Sequence, residues 1–227
     1  MLLSFDVSTD AIEEHDDWHT HEHLPERLSI PGFLRGTRWV ATAGGPRYMV
    51  LYEVQSLSTL TSDAYLQRLN RPTPWTSKLM PHYRGMNRGL CSVLGSFGLG
   101  SGHFGMLVRF HATRSDELHS WLLQKVLPAL PSRVGLGGAH LLEAAAAAAM
   151  TNEQRLRGND GAVGSAILVT GYDAAAVEDI GRTDLEASAL LRRGAQDLSL
   201  ATYRAAYSLA SAEVDARGER SSRGGPQ

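Results

Sequence analysis

Apolar positions alternate along residues 2–7, where Leu3, Phe5 and Val7 share a face, and the period then lengthens to that of a helix over residues 11–29. Ser8, Thr9 and Asp10 stand before that helix as residues that start a first turn. Ile30-Pro31-Gly32 reads as a turn, and residues 33–43 as a strand holding Trp39 and Val40. Gly44-Gly45-Pro46 reads as a hairpin turn. Residues 47–55 carry the clearest strand pattern: Tyr48, Val50, Tyr52 and Val54 alternate with Met49, Leu51 and Glu53. Residues 56–69 follow as a helix with Leu57, Leu60, Tyr65, Leu66 and Leu69 on its apolar side. The proline-bearing stretch 70–81 reads as loop or broken helix, and residues 87–97 as a fourth strand. The order is βαββαβ.

After a glycine-rich hinge at 98–102 the pattern restarts. A strand over 104–112 has Phe104, Met106, Val108 and Phe110 in phase, and an amphipathic helix follows over 116–130. Residues 134–145 read as strand, although the alanine run at 144–149 favours helix. A polar loop over 151–164, a strand over 165–172, a helix over 174–193 and a strand over 198–209 complete the series. Two blocks of one order predict two ferredoxin-like repeats, at 1–97 and 103–211, and a charged, glycine-rich tail at 212–227 expected to be disordered. A βαββαβ sheet carries both helices on one face, so its other face needs cover. The second copy supplies it. The expected fold class is α+β, with the two bare faces meeting as one barrel and a pocket between them.

Composition narrows the chemistry. The chain has 227 residues, 43% hydrophobic and 20% charged, with a formal net charge of −2. No basic stripe offers a nucleic-acid surface. A lone cysteine, Cys91, excludes an internal disulfide and a cysteine-rich metal knuckle. No stretch approaches the ~20 apolar residues of a membrane span, and the opening residues lack a signal-peptide pattern, so a cytoplasmic protein is expected. The glycine-rich stretches 98–102 and 135–138 lack phosphate-loop spacing, and no nucleophile-elbow motif occurs.

Residues 10–27 hold seven carboxylates and four histidines. On an ideal helix His15, His19, Glu22 and Glu26 fall in one stripe, with His23 beside it. Pro25 removes a backbone donor, disfavours helical geometry at Leu24 and clashes with the carbonyl of His21, so a kink or helix break is expected that turns His23. With Glu22 and Glu26 nearby, His23 is expected to titrate near neutrality, as suits a general acid or base. Helix capping by His23 is the competing reading. His15, His19 and His23 are spaced to put two imidazoles on one ion, but the zinc-protease motif is absent because position 25 is proline. A solvated acidic face is the plainer reading, and no metal is assigned.

The segment Trp18 to Phe33 resembles the EthD-like branch of the dimeric α+β barrel superfamily. Trp18, Glu22, His23, Pro25, Glu26, Arg27, Pro31, Gly32 and Phe33 fill the places of a Trp-x-x-x-Glu-His-x-Pro-Glu-Arg segment running into Pro-Gly-Phe. Residues 69–76, LNRPTPWT, look like a later signature of similar proteins. The second half matches in element order only. The resemblance implies a dimeric-type α+β barrel closed within one chain, and among its functions are cofactor-free monooxygenases, cyclases, dehydratases and isomerases. The expected site has His23 transferring a proton, oriented by Glu22 or Glu26. Trp18, Tyr52 and Trp75 wall the pocket, and Arg38 holds an oxyanion. The expected ligand is an aromatic, polyketide-like or lactone molecule, with no cofactor. A non-catalytic binding or stress-response module and a metal-dependent lyase or oxygenase stay open as alternatives. One chain can close its own barrel, which leaves a homodimer open without requiring it.

Overall fold

The computed structural model describes residues 1–145, 151–158 and 160–214. Most of the alanine run and residues 215–227 of the expected tail lie outside these; residues 211–214 are helical. In the first half, strands β1 (Leu2–Val7), β2 (Phe33–Gly44), β3 (Tyr48–Val54) and β4 (Tyr83–Gly89) form an antiparallel sheet in the order β2-β3-β1-β4. A single residue, Leu90, separates β4 from β5 (Cys91–Gly98). The second half has β6 (Phe104–Ala112), β7 (Leu136–Ala144), the two-residue β8 (Gly161–Ala162), β9 (Ser165–Gly171) and β10 (Ala195–Ala210). Its order, β7-β9-β6-β10, is the first half's order repeated.

The last strand of each half belongs to both sheets. β10 pairs with β6 from Ala195 to Arg204 and with β2 from Ala201 to Ala210. β4 pairs with β1, and its continuation β5 pairs with β7. These two crossings close a ring of strands, so the ladder has no long open edge. The fourth strand of the first half is therefore one run bent at Leu90, longer than the 87–97 expected from pattern.

Alternation sorts the side chains into three cores. Phe5, Tyr48, Val50 and Tyr52 face outward to the first half's helices. Met106, Val108, Ile167 and Val169 do the same in the second half. Leu2, Trp39, Met49, Leu107, Leu168 and Tyr203 point inward and meet across the barrel.

The first helical run begins as α1 (Ile12–Trp18), passes through a π turn at His19–His23 and continues as α2 (Leu24–Leu28). Pro25 causes the widening: it has no N–H and its ring crowds the preceding turn. The Leu24 N–H donates to the His19 carbonyl, five residues back. Leu24 keeps helical angles, φ −63 and ψ −49, so the expected break at Pro25 is instead a bulge. Beyond these lie α3 (Asp63–Asn70) and α4 (Pro74–Leu79), the latter being the helical part of the stretch expected to be loop or broken helix. Thr73 starts α4 by accepting from the Thr76 N–H, and Pro74 suits its first turn.

The second half repeats the device. Helix α5 (Ser115–Trp121) leads into a π turn at Leu122–Val126, where the Leu127 N–H donates to the Leu122 carbonyl ahead of Pro128. Trp18 and Trp121, Leu24 and Leu127, Pro25 and Pro128, and Gly32 and Gly135 are each 103 residues apart. Both glycines have positive φ, 92 and 90. The loop expected at 151–164 contains α6 (Asn152–Arg157), and the helix expected at 174–193 is split into α7 (Ala174–Ile180) and α8 (Ala187–Arg192). Among the described residues no helix is long and apolar enough to cross a membrane.

Trp39 is the largest side chain of the barrel interior and is 1% exposed. Trp39→Ala is expected to lower the unfolding free energy by about 3–5 kcal/mol, the range for truncating a buried aromatic. Denaturant unfolding checks this; a loss under ~1 kcal/mol would show that the facing sheets do not depend on each other's packing.

Candidate functional site

His15, His19, His23 and Arg27 are spaced by four. On a regular α-helix each step of four drifts by ~40°. The wider π turn winds less per residue and offsets that drift, so all four side chains stay on the face turned to the sheet. They are 0%, 2%, 8% and 2% exposed, which corrects the reading of this segment as a solvated acidic face. Glu22 and Glu26 fall off this row, contrary to the ideal-helix stripe, because the same bulge shifts their phase.

Neighbouring rings form a column. The His15 and His19 centroids are 5.6 Å apart, those of His19 and His23 5.4 Å, and Trp18 lies 4.4 Å from His23. His15 is tied at both ends: Nδ1 lies 3.3 Å from Asp16 Oδ1 and Nε2 lies 3.2 Å from the Tyr83 hydroxyl. A carboxylate only accepts, so Nδ1 carries the proton and Tyr83 donates to Nε2. His19 Nδ1, His23 Nδ1 and the Tyr52 hydroxyl are buried, with no hydrogen-bond partner among the described residues. All three of these side chains line one small cavity, of about 30 Å³, together with Arg27, Tyr83 and Glu153. That is room for one or two water molecules.

The cavity lies between the first helical run and the outer face of the first sheet. This corrects the expectation of a hollow beside His23 between the two bare faces: the sheet itself separates His23 from the barrel interior. Four sequence-based assignments also change. Glu22 accepts from Trp18 Nε1 at 3.1 Å and from Thr73 Oγ1 at 2.5 Å, so it anchors the start of α4 and does not orient His23. Glu26 pairs with Arg27 at 3.1 Å and Arg68 at 3.4 Å, and it does not reach His23 either. Arg38 is held by the Asp16 carbonyl at 2.9 Å, with its Nε 3.6 Å from the Asp16 carboxylate, and lies off the cavity. Trp75 is half-buried, donates to Glu14 at 3.1 Å, and is likewise off the cavity. Trp18 backs the His23 ring, and Tyr52 lines the cavity as expected.

Arg27, not Arg38, lines the cavity beside His23. Its guanidinium lines the cavity and forms a buried ion pair with Glu153, the second residue of α6. Glu153 also lies 3.6 Å from Arg157, which pairs with Asp160 at 2.6 Å. Asn152 fastens the start of α6 to Asn70, its Nδ2 donating to the Asn70 carbonyl at 2.9 Å. The second half thus reaches over and closes the first half's cavity. Spacing of four from His23 was the signal for Arg27; nothing local signalled Glu153, 126 residues away.

Burial, and then the Arg27 charge, hold the His23 imidazole well below the ordinary histidine range; burial, His15 and Arg38 do the same for His19. Both are therefore held neutral at pH 7, rather than titrating near neutrality as expected from the neighbouring glutamates. Among the described residues no group of three His, Cys, Asp or Glu is placed to hold a metal ion.

The second half supplies an internal comparison. At the same offset of 103, His15, His19, His23 and Arg27 correspond to Leu118, Leu122, Val126 and Leu130. All four are buried in the second half's core. The fold is thus built with aliphatic side chains at these places, and polar ones there carry a burial cost that the architecture does not demand.

The depressed histidines set a pH dependence. The unfolded chain binds protons at His19 and His23 below about pH 6.5 while the folded chain does not, so stability falls as pH drops from there toward the folded pKa. Each contributes a slope of up to about 1.4 kcal/mol per pH unit in that window. His19→Leu with His23→Val, the second half's residues, is expected to flatten the fall in Tm between pH 7.5 and 5. An unchanged slope would mean these rings are not held neutral.

No protein-family model and no curated protein matches the sequence. Solved structures do resemble it. An anthrone oxidase-like protein superposes with a TM-score of 0.63 at 10% identity, over 92% of this chain and 91% of that one. A candidate monooxygenase from Fusobacterium nucleatum gives 0.57 at 7% identity, over 92% of each chain. Another, from Lactobacillus acidophilus, gives 0.55 at 9% identity, over 92% of this chain and 94% of that one. At such identities the likeness establishes the fold: the chain is a dimeric-type α+β barrel, its two ferredoxin-like halves joined in one polypeptide.

Proposed function

We propose that this chain is a small-molecule enzyme of the EthD-like kind that uses no cofactor, with His23 as the proton acceptor and Arg27 as the anion-holding group. The observation that carries the reading is that His19 and His23 are buried, line one cavity, and have Nδ1 atoms with no hydrogen-bond partner among the described residues. An acceptor in that state takes a proton from an acidic O–H or C–H. The phenolate or enolate left behind is stabilised by a guanidinium already desolvated and fixed. An aromatic, polyketide-like or lactone substrate has such a proton. Deprotonation alone serves isomerisation, dehydration or aldol cyclisation. In an electron-rich phenol or anthrone it also gives the form that reacts with oxygen, in keeping with the oxidase and monooxygenase names of the structural relatives.

The substrate does not fit the closed cavity, so α6 has to yield. Glu153 occupies the anion position on Arg27, and an acidic substrate competes with it. The same closure favours a second reading, a binding module without turnover, and product analysis separates the two.

With an anthrone or other electron-rich phenol as substrate, His23→Ala is expected to reduce kcat/KM by about 10²- to 10⁴-fold while the fold persists by circular dichroism. Turnover that survives unchanged ends the assignment. Glu153→Gln is expected to lower KM for the acidic substrate and to lower Tm, since it breaks a buried pair. A raised KM would mean that Glu153 holds substrate instead of competing with it.

A further inference from the structure

The barrel interior holds a second, larger cavity that the proposed chemistry does not use. It measures about 650 Å³ and opens at the end of the barrel where β3, β5 and β7 meet. Farther in, Trp39, Met49 and Leu107 pack the interior. A cavity of this size is within the range that holds a small organic molecule.

Its walls are apolar, from Leu51, Val93, Leu142 and Leu168. At its mouth Leu99 is 95% exposed and Val93 61% exposed. One polar pair projects into it: Ser96 Oγ lies 2.8 Å from His140 Nδ1, on adjacent strands that place the two residues opposite each other. A side chain at Gly138 would come within 3.1 Å of His140 Nε2, so the glycine leaves that ring its room. Burial lowers the pKa of His140, and a neutral ring bonded through Nδ1 keeps Nε2 for a further hydrogen bond. The cavity's charged residues, Arg35 and Glu53, face one another at 3.7 Å and cancel.

We propose that this open end of the barrel is a second ligand site, for neutral, mainly apolar molecules carrying one hydrogen-bonding group, which His140 and Ser96 receive. The first sheet lies between it and the His23 cavity, and Met1 and Tyr52 border both. The site offers a reservoir or an effector position for a hydrophobic compound, separate from the place of proton transfer.

The test uses the full chain and N-phenyl-1-naphthylamine, a neutral probe that fluoresces when shielded from water, with 2-naphthol and naphthalene as competitors. The expected result is saturable one-to-one binding. Val93→Arg, at an exposed position that tolerates change, is expected to weaken it at least tenfold. Wild type is expected to prefer 2-naphthol over naphthalene by about three- to tenfold, and His140→Leu to erase that preference. His23→Ala is expected to leave all of this unchanged. The proposal is overturned if Val93→Arg binds the probe as wild type does, if His23→Ala abolishes binding, or if His140→Leu keeps the preference for the hydroxyl.

Discussion

Each half's last strand is hydrogen-bonded into both sheets, and every other part of the molecule is positioned by that sharing. β10 leaves β6 for β2, and the β4–β5 run leaves β1 for β7. Once the ring is closed, the bare faces cannot separate without breaking two ladders, so Trp39, Met49, Leu107 and Tyr203 are buried whichever half they come from. Closure also fixes which side of each sheet meets helices. The His23 cavity and the barrel-end cavity are therefore on opposite faces of one sheet.

The first half's histidine row is best understood against its counterpart. Both halves bend around a proline by the same π turn, and both align a row of residues spaced by four on the sheet. The second half fills its row with Leu118, Leu122, Val126 and Leu130 and packs a dry core. The first half fills it with three imidazoles and a guanidinium, and leaves Nδ1 of two rings without partners among the described residues. The cost of burying these groups is offset only in part: His15 has Asp16 and Tyr83, and Arg27 has Glu26 and Glu153. Stability alone favours the aliphatic solution, which the chain itself demonstrates to be compatible with the fold.

Strand alternation made the element order and the barrel legible, because a strand buried on both faces still reads as Tyr48, Val50 and Tyr52 against Met49 and Leu51. The bend at Leu90 was not legible, since it exists only where one run passes between two sheets. His23 was identified from its segment, but its neighbours were assigned on an unbroken α period. Pro25 was read as a kink, and a kink and a π bulge shift the phase of Glu22, Glu26 and Arg27 differently. The expectation that Arg38 holds an oxyanion fails because Asp16 holds its guanidinium, a contact that no local pattern reveals. Glu153 came from a polar stretch with no pattern of its own; only the closed fold brings it to Arg27.

The central claim is that His19 and His23 are held neutral in a cavity beneath the helix. Histidine-ring NMR across a pH titration tests it most directly, with His19→Leu and His23→Val supplying the assignments. The account predicts that both rings keep neutral-imidazole shifts through the ordinary histidine midpoint of about 6.5 and protonate only well below it. Titration of either buried ring with a midpoint near 6.5 would contradict it.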